Sequence, residues 1–180
     1  MARALYPGDE LVSLRAEIRD HVSTAAKEAL AAGAVAFHFA LEVVPGVPVP
    51  ITLGLYQPDL PPRLSTQLGA VPSAESLAAS LRASAGDAAV SSWGDRDNGV
   101  TRALRMSPGD PAVEGSMPLL RADYWITAPG CDVTTVFAFS APVLWDHTAP
   151  ALLELLDAII STVQWDPATP PGSEQLTESG

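Results

Sequence analysis

Three histidines, one cysteine and the acidic run DRDNG are the places in this 180-residue chain where residue type and spacing suggest chemistry. His21, His38 and His147 stand far apart, and none pairs at the short spacing that presents two imidazoles to one metal ion. Residues 95–99 (DRDNG) begin like a calcium loop. Such a loop needs oxygen ligands at its first, third and fifth positions and a bidentate glutamate at its twelfth. Counting from Asp95, the fifth position is Gly99 and the twelfth is Met106, so the chemistry fails. Asn98-Gly99 reads instead as the tight turn of a hairpin.

His147 follows Asp146 in WDHTAP. Adjacent residues rarely converge on one reacting atom, and Asp146 or Thr148 serves better as the cap of the helix that follows. Cys131 lies in a turn beside Gly130, and a thiolate nucleophile needs a neighbouring base that the sequence does not place there. No nucleophile elbow, phosphate-binding loop or dinucleotide fingerprint occurs. The residues carry no enzyme signature, and the sequence calls for no cofactor and no metal.

Two features point to binding. In RADYWIT, Arg121, Asp123 and Trp125 alternate on one side of a strand, with Leu120, Ala122, Tyr124 and Ile126 on the other. A tryptophan flanked by an arginine and a carboxylate is the equipment of a contact surface. The competing reading has a helix covering this face with Trp125 packed beneath it, the commoner arrangement in a sheet buried on both sides. The Pro-rich segment QPDLPPRLSTQLG carries Leu60, Leu64 and Leu68 in a loop of a length that often serves binding, although packing on a sheet edge explains it as well.

The elements that must position these residues follow from the periodicity. Leu11, Leu14, Ile18, Val22, Ala25 and Ala29 recur at three- and four-residue steps, predicting a helix stopped by Gly33. The period then becomes two: Phe37, Phe39, Leu41 and Val43 alternate with His38 and Glu42, and Ile51, Leu53 and Leu55 share one face of a second strand. Pro45-Gly46 makes the join a hairpin. Residues 73–84 form a short helix capped by Ser73, followed by strands DAAVSSW and VTRALRM. Then LLRADYWITA and VTTVFAFSA form another hairpin around Pro129-Gly130. Finally Leu152, Leu155, Leu156, Ile159, Ile160 and Val163 give one broad apolar face. Glu154 and Asp157 interrupt it as a membrane span, so it reads as a core helix laid on a sheet.

The bulk properties bound the rest. The chain is long enough for one domain with a real core, and 47% apolar residues exclude a disordered one. A formal charge of -11, with nine arginines and the single Lys27, argues against nucleic acid and anionic membranes and favours a basic partner. The start lacks a charged segment followed by a continuous apolar run, so a cytoplasmic protein is expected. Residues 1–165 are expected to form a single α+β domain, and the polar tail 166–180 to be disordered.

The segments AEIRDHV, AGAVAFHFALEVVPGVPVP and ADYWITAPGCDVTTVFAFSAP, followed by LLELLDAIISTVQW, occur in an order that resembles a family of small actinobacterial proteins of unassigned activity. The match spans roughly residues 10–166. The resemblance implies a Mog1/PsbP-like fold: a mostly antiparallel sheet of about six strands with helices on both faces, an α/β/α sandwich. Relatives of that fold bind macromolecular partners, a small GTPase for Mog1 and a photosynthetic complex for PsbP. The expectation is therefore a non-catalytic interaction domain with an unidentified protein partner. Homo-oligomerisation through a sheet edge is one version of it. The rival is a small-molecule module or an enzyme without a recognisable motif, its pocket between the sheet and the 57–72 loop.

Overall fold

A computed structural model describes residues 12–40, 50–58, 73–84, 86–94, 99–109, 111–112, 116–127, 133–143 and 148–165. Among the described residues three helices and six strands follow one another as the periodicity requires: helix α1 (Val12–Ala31), strands β1 (Ala34–Ala40) and β2 (Ile51–Tyr56), helix α2 (Ala74–Ser84), strands β3 (Ala89–Trp93), β4 (Val100–Ser107), β5 (Leu119–Thr127) and β6 (Thr134–Pro142), and helix α3 (Thr148–Ser161). Gly33 ends α1 at φ 88°, a backbone state that any side chain would strain. Ser73 caps α2, its Oγ accepting the Ser76 N–H at 3.2 Å.

The strands form one open sheet in the order β1-β2-β6-β5-β4-β3. Every neighbouring pair is antiparallel. The chain thus has an α+β fold built on an antiparallel sheet. The predicted turns at Pro45-Gly46 and Pro129-Gly130, with the extension of the first strand to Val43, lie outside the described residues.

Because residues directly opposite in a ladder share a face, the registers divide the sheet into two sides. On the front face Leu53, Phe139, Ala122 and Leu104 lie in one row across β2, β6, β5 and β4. This is the core side. Leu120, Ala122, Tyr124 and Ile126 of β5 are buried with Phe139 and Ala141 against Leu152, Leu156 and Ile160 of α3. The predicted stripe on α3 is only partly used. Leu155 and Val163 pack at the margin, while Ile159 is 38% exposed. The spine at steps of four points straight at the sheet, and Ile159 sits one residue off it, toward a flank.

The back face carries α2. Thr101, fully buried, donates its hydroxyl to the Ala74 carbonyl at 2.9 Å, and α2 packs on β3 and β4. Helices therefore lie on both faces, α3 in front and α2 behind. Helix α1 packs on β1 at the far edge.

Candidate functional site

On β5 the structure places Arg121, Asp123 and Trp125 on the back face, as the alternation requires, and brings them together with neighbours that the sequence did not reveal. Arg121 is flanked in register by Arg105 on β4 and Ser140 on β6, Asp123 by Ala103 and Ala138, and Trp125 by Thr101 and Val136. The surface is ordered in rows. A cationic row meets a row of small residues that holds one carboxylate, and beyond it lies a row that contains the indole. Gly54 continues the small row on β2, opposite Ala138. A Cβ there would meet the Tyr56 ring at 2.7 Å, so Tyr56 lies folded over the glycine.

Arg121 Nε donates to Asp123 Oδ1 at 3.2 Å; the arginine side chain is 54% exposed and the aspartate 17%. The terminal nitrogens of Arg121 have no hydrogen-bond partner among the described residues. Trp125 is half-buried. Its indole Nε1 is buried and has no hydrogen-bond partner among the described residues. The ring is thus partly packed, and its polar edge is unsatisfied among the described residues. Leu60 and Leu64, with residues 59–72 of the loop proposed to cover a pocket, lie outside the described residues.

Sequence reasoning missed the polar cluster of the front face. Tyr124, 0% exposed, donates its hydroxyl to Asp157 Oδ1 at 2.6 Å. Arg102 Nη1 donates to both oxygens of the same carboxylate, at 2.8 and 2.6 Å. The Arg102 guanidinium lies 5.3 Å from the centroid of the Trp93 ring, which stands nearly perpendicular to the Tyr124 ring with centroids 6.3 Å apart. Burial raises the Tyr124 pKa well above its ordinary 10.0, and the Asp157 carboxylate adds to the rise, against an opposing pull from Arg102. Burial alone would lower the pKa of Arg102, but its hydrogen bond and attraction to Asp157 outweigh that and raise it. The phenol therefore holds its proton and the guanidinium its charge. The cluster ties α3 to the sheet and leaves Asp157 as the shared acceptor. A signal for it existed: Arg102 alternates with Val100 and Leu104 on the core side of its strand, and a charge there needs a partner.

His21 and His38 are exposed; Cys131 and His147 lie outside the described residues. Among the described residues no group of three histidine, cysteine or acidic side chains is placed to hold a metal ion. No described helix is long and apolar enough to cross a membrane. No family model matches the chain, and neither does a curated protein or a solved structure.

Proposed function

We propose that the chain is a non-catalytic interaction domain, an adaptor or accessory protein, whose back face recognises a protein partner through Arg121, Asp123 and Trp125. The observation that carries this reading is the Trp125 indole N–H, buried without an acceptor among the described residues, beside the Arg121–Asp123 pair whose arginine is exposed. A buried donor left unmade costs about 1–3 kcal/mol, and because this nitrogen is closed to solvent a partner removes that cost only by displacing the ring as it supplies the acceptor. Tryptophan and arginine are also the side chains that most often dominate contact energies. The resemblance to Mog1/PsbP-like proteins supports the same class of function, since members of that fold bind macromolecules. The charge of -11 favours a basic partner. Cytoplasmic residence remains part of the proposal.

The experiment is affinity purification of the tagged chain from its host at low salt, with native Arg121 and with Arg121→Glu in parallel. The reading expects one protein near stoichiometry with the native chain, released at high salt and lost with the variant. Recovery of the same proteins by both forms, or of the chain alone, counts against it.

A further inference from the structure

The sheet has two edges, and they differ. Strand β1 is irregular: its register shifts between Ala34 and Ala36, and the displaced Val35 is 60% exposed. A bulge of this kind twists an edge away from further pairing. Strand β3 pairs with β4 without interruption from Ala89 to Trp93, and no other described strand pairs with it. Beside it a cavity of about 260 Å³ opens between α2 and β3, lined by Ala74, Glu75, Arg82, Ser92, Trp93 and Gly94. Arg82 Nη2 crosses from α2 to the Val90 carbonyl at 3.4 Å, a long bond that a strand N–H can replace.

Helix α2 runs antiparallel to β3. Its start, Ala74, is bonded to Thr101, the ladder partner of Ser92, and Arg82 near its end reaches Val90. Glu75, Ala79 and Arg82 fall at i, i+4 and i+7, one stripe of the helix. Glu75 and Arg82 line the cavity at the β3 edge, and Ala79 between them is exposed. This stripe has one charge at each end and a small residue in the middle. Such an arrangement is complementary to itself under a two-fold rotation.

We propose that the β3 edge is the interface with a second copy of this chain, paired antiparallel about a two-fold axis at Ser91, which makes one twelve-stranded sheet. The proposal deepens the interaction reading by naming one partner and a surface separate from Trp125. In this arrangement Val90 of each copy faces Ser92 of the other, and Ala89 faces Trp93. The 40% exposed Trp93 ring gains a small neighbour to lie over. Ser91 of each copy lies opposite itself at the axis, in the row of the ladder where side chains approach most closely. A helix seated over β3 and β4 lies about half a strand spacing in from the edge, so the rotation sets the two α2 axes about 9–10 Å apart. That matches the separation of about 8–10 Å at which helices pack. Ala79 meets Ala79 at the crossing, and Glu75 of each copy comes opposite Arg82 of the other. An isologous contact of this form closes at two copies.

Sedimentation equilibrium of the pure full-length chain, over a micromolar-to-millimolar series, tests this. The native chain is expected to dimerise, and Arg82→Glu to weaken the dimer by about tenfold or more, because two attractive pairs become repulsive. The double exchange Glu75→Arg with Arg82→Glu restores it, since the opposed charges are again opposite in sign. Within one chain these residues are two helical turns apart, so the rescue reports contact between copies. Ala79→Glu, at an exposed position that costs the monomer little, should also dissociate the dimer and serves if the charge variants fold poorly. A chain that stays monomeric throughout overturns the proposal. So does a dimer indifferent to Arg82→Glu and Ala79→Glu, or one that the double exchange does not rescue. Failure here leaves the Trp125 reading standing, because that one is read from capture of a different protein.

Discussion

At the scale of residues, the front-face cluster makes the firmest predictions. Tyr124→Phe removes one hydrogen bond to a carboxylate that keeps Arg102, and should cost about 1–2 kcal/mol in urea unfolding. Asp157→Ala strips the acceptor from both Tyr124 and Arg102 and should cost more, about 2–3 kcal/mol. That figure is held down because the Asp157 side chain is 37% exposed and partly screened by water. A pH series checks the phenol separately. Its folded pKa lies above the unfolded 10.0, so the stabilisation it gives is complete below pH 10 and is lost as pH climbs beyond that value. Stability that falls through neutral pH, with the Tyr124→Phe variant showing the same slope, would contradict this assignment. The alternation of RADYWIT told which side chains share the Arg121 face. It did not tell that Arg102 and Asp157, 55 residues apart, meet, since local pattern says nothing about which distant elements touch.

Among the elements, α3 and α2 were legible because the hydrophobic period and the Ser73 cap are local signals. The α3 stripe was read one position too broadly. Leu152, Leu156 and Ile160 are buried and Leu155 and Val163 pack against the same core, while Ile159 turns outward. Leu156→Ala, at a site 1% exposed, should therefore cost about 2–5 kcal/mol, and Ile159→Ala much less, under about 1 kcal/mol. Equal losses from the two variants in denaturant melts would show that the helix is rotated from the position described. Ser73→Ala should cost about 1 kcal/mol by loss of the cap, seen as a lower melting temperature by circular dichroism. The hairpin partners were also readable, each strand lying beside its chain neighbour. The pairing of β2 with β6 was not, since it joins strands 80 residues and more apart, beyond the reach of a local pattern.

For the whole molecule, the acidic charge, the two-sided sheet and the unequal edges make one picture. The front face is spent on the core, the back face carries α2 and the Arg121–Asp123–Trp125 surface, and the regular β3 edge is the place for a second copy. These surfaces are separable, so variants in one should leave the other intact. Arg82→Glu is expected to change self-association and leave capture of a different partner within about twofold. Composition weighs against some classes of partner without naming one, because charge and apolar content are sums over the chain and recognition depends on a few side chains. The measurement that bears most directly on the interaction reading is Trp125→Ala, scored together for partner capture and thermal stability. Capture is expected to be lost while the melting temperature shifts by no more than a few degrees. A large fall in melting temperature, with capture preserved whenever the chain is folded, would make Trp125 a packing residue and contradict the account.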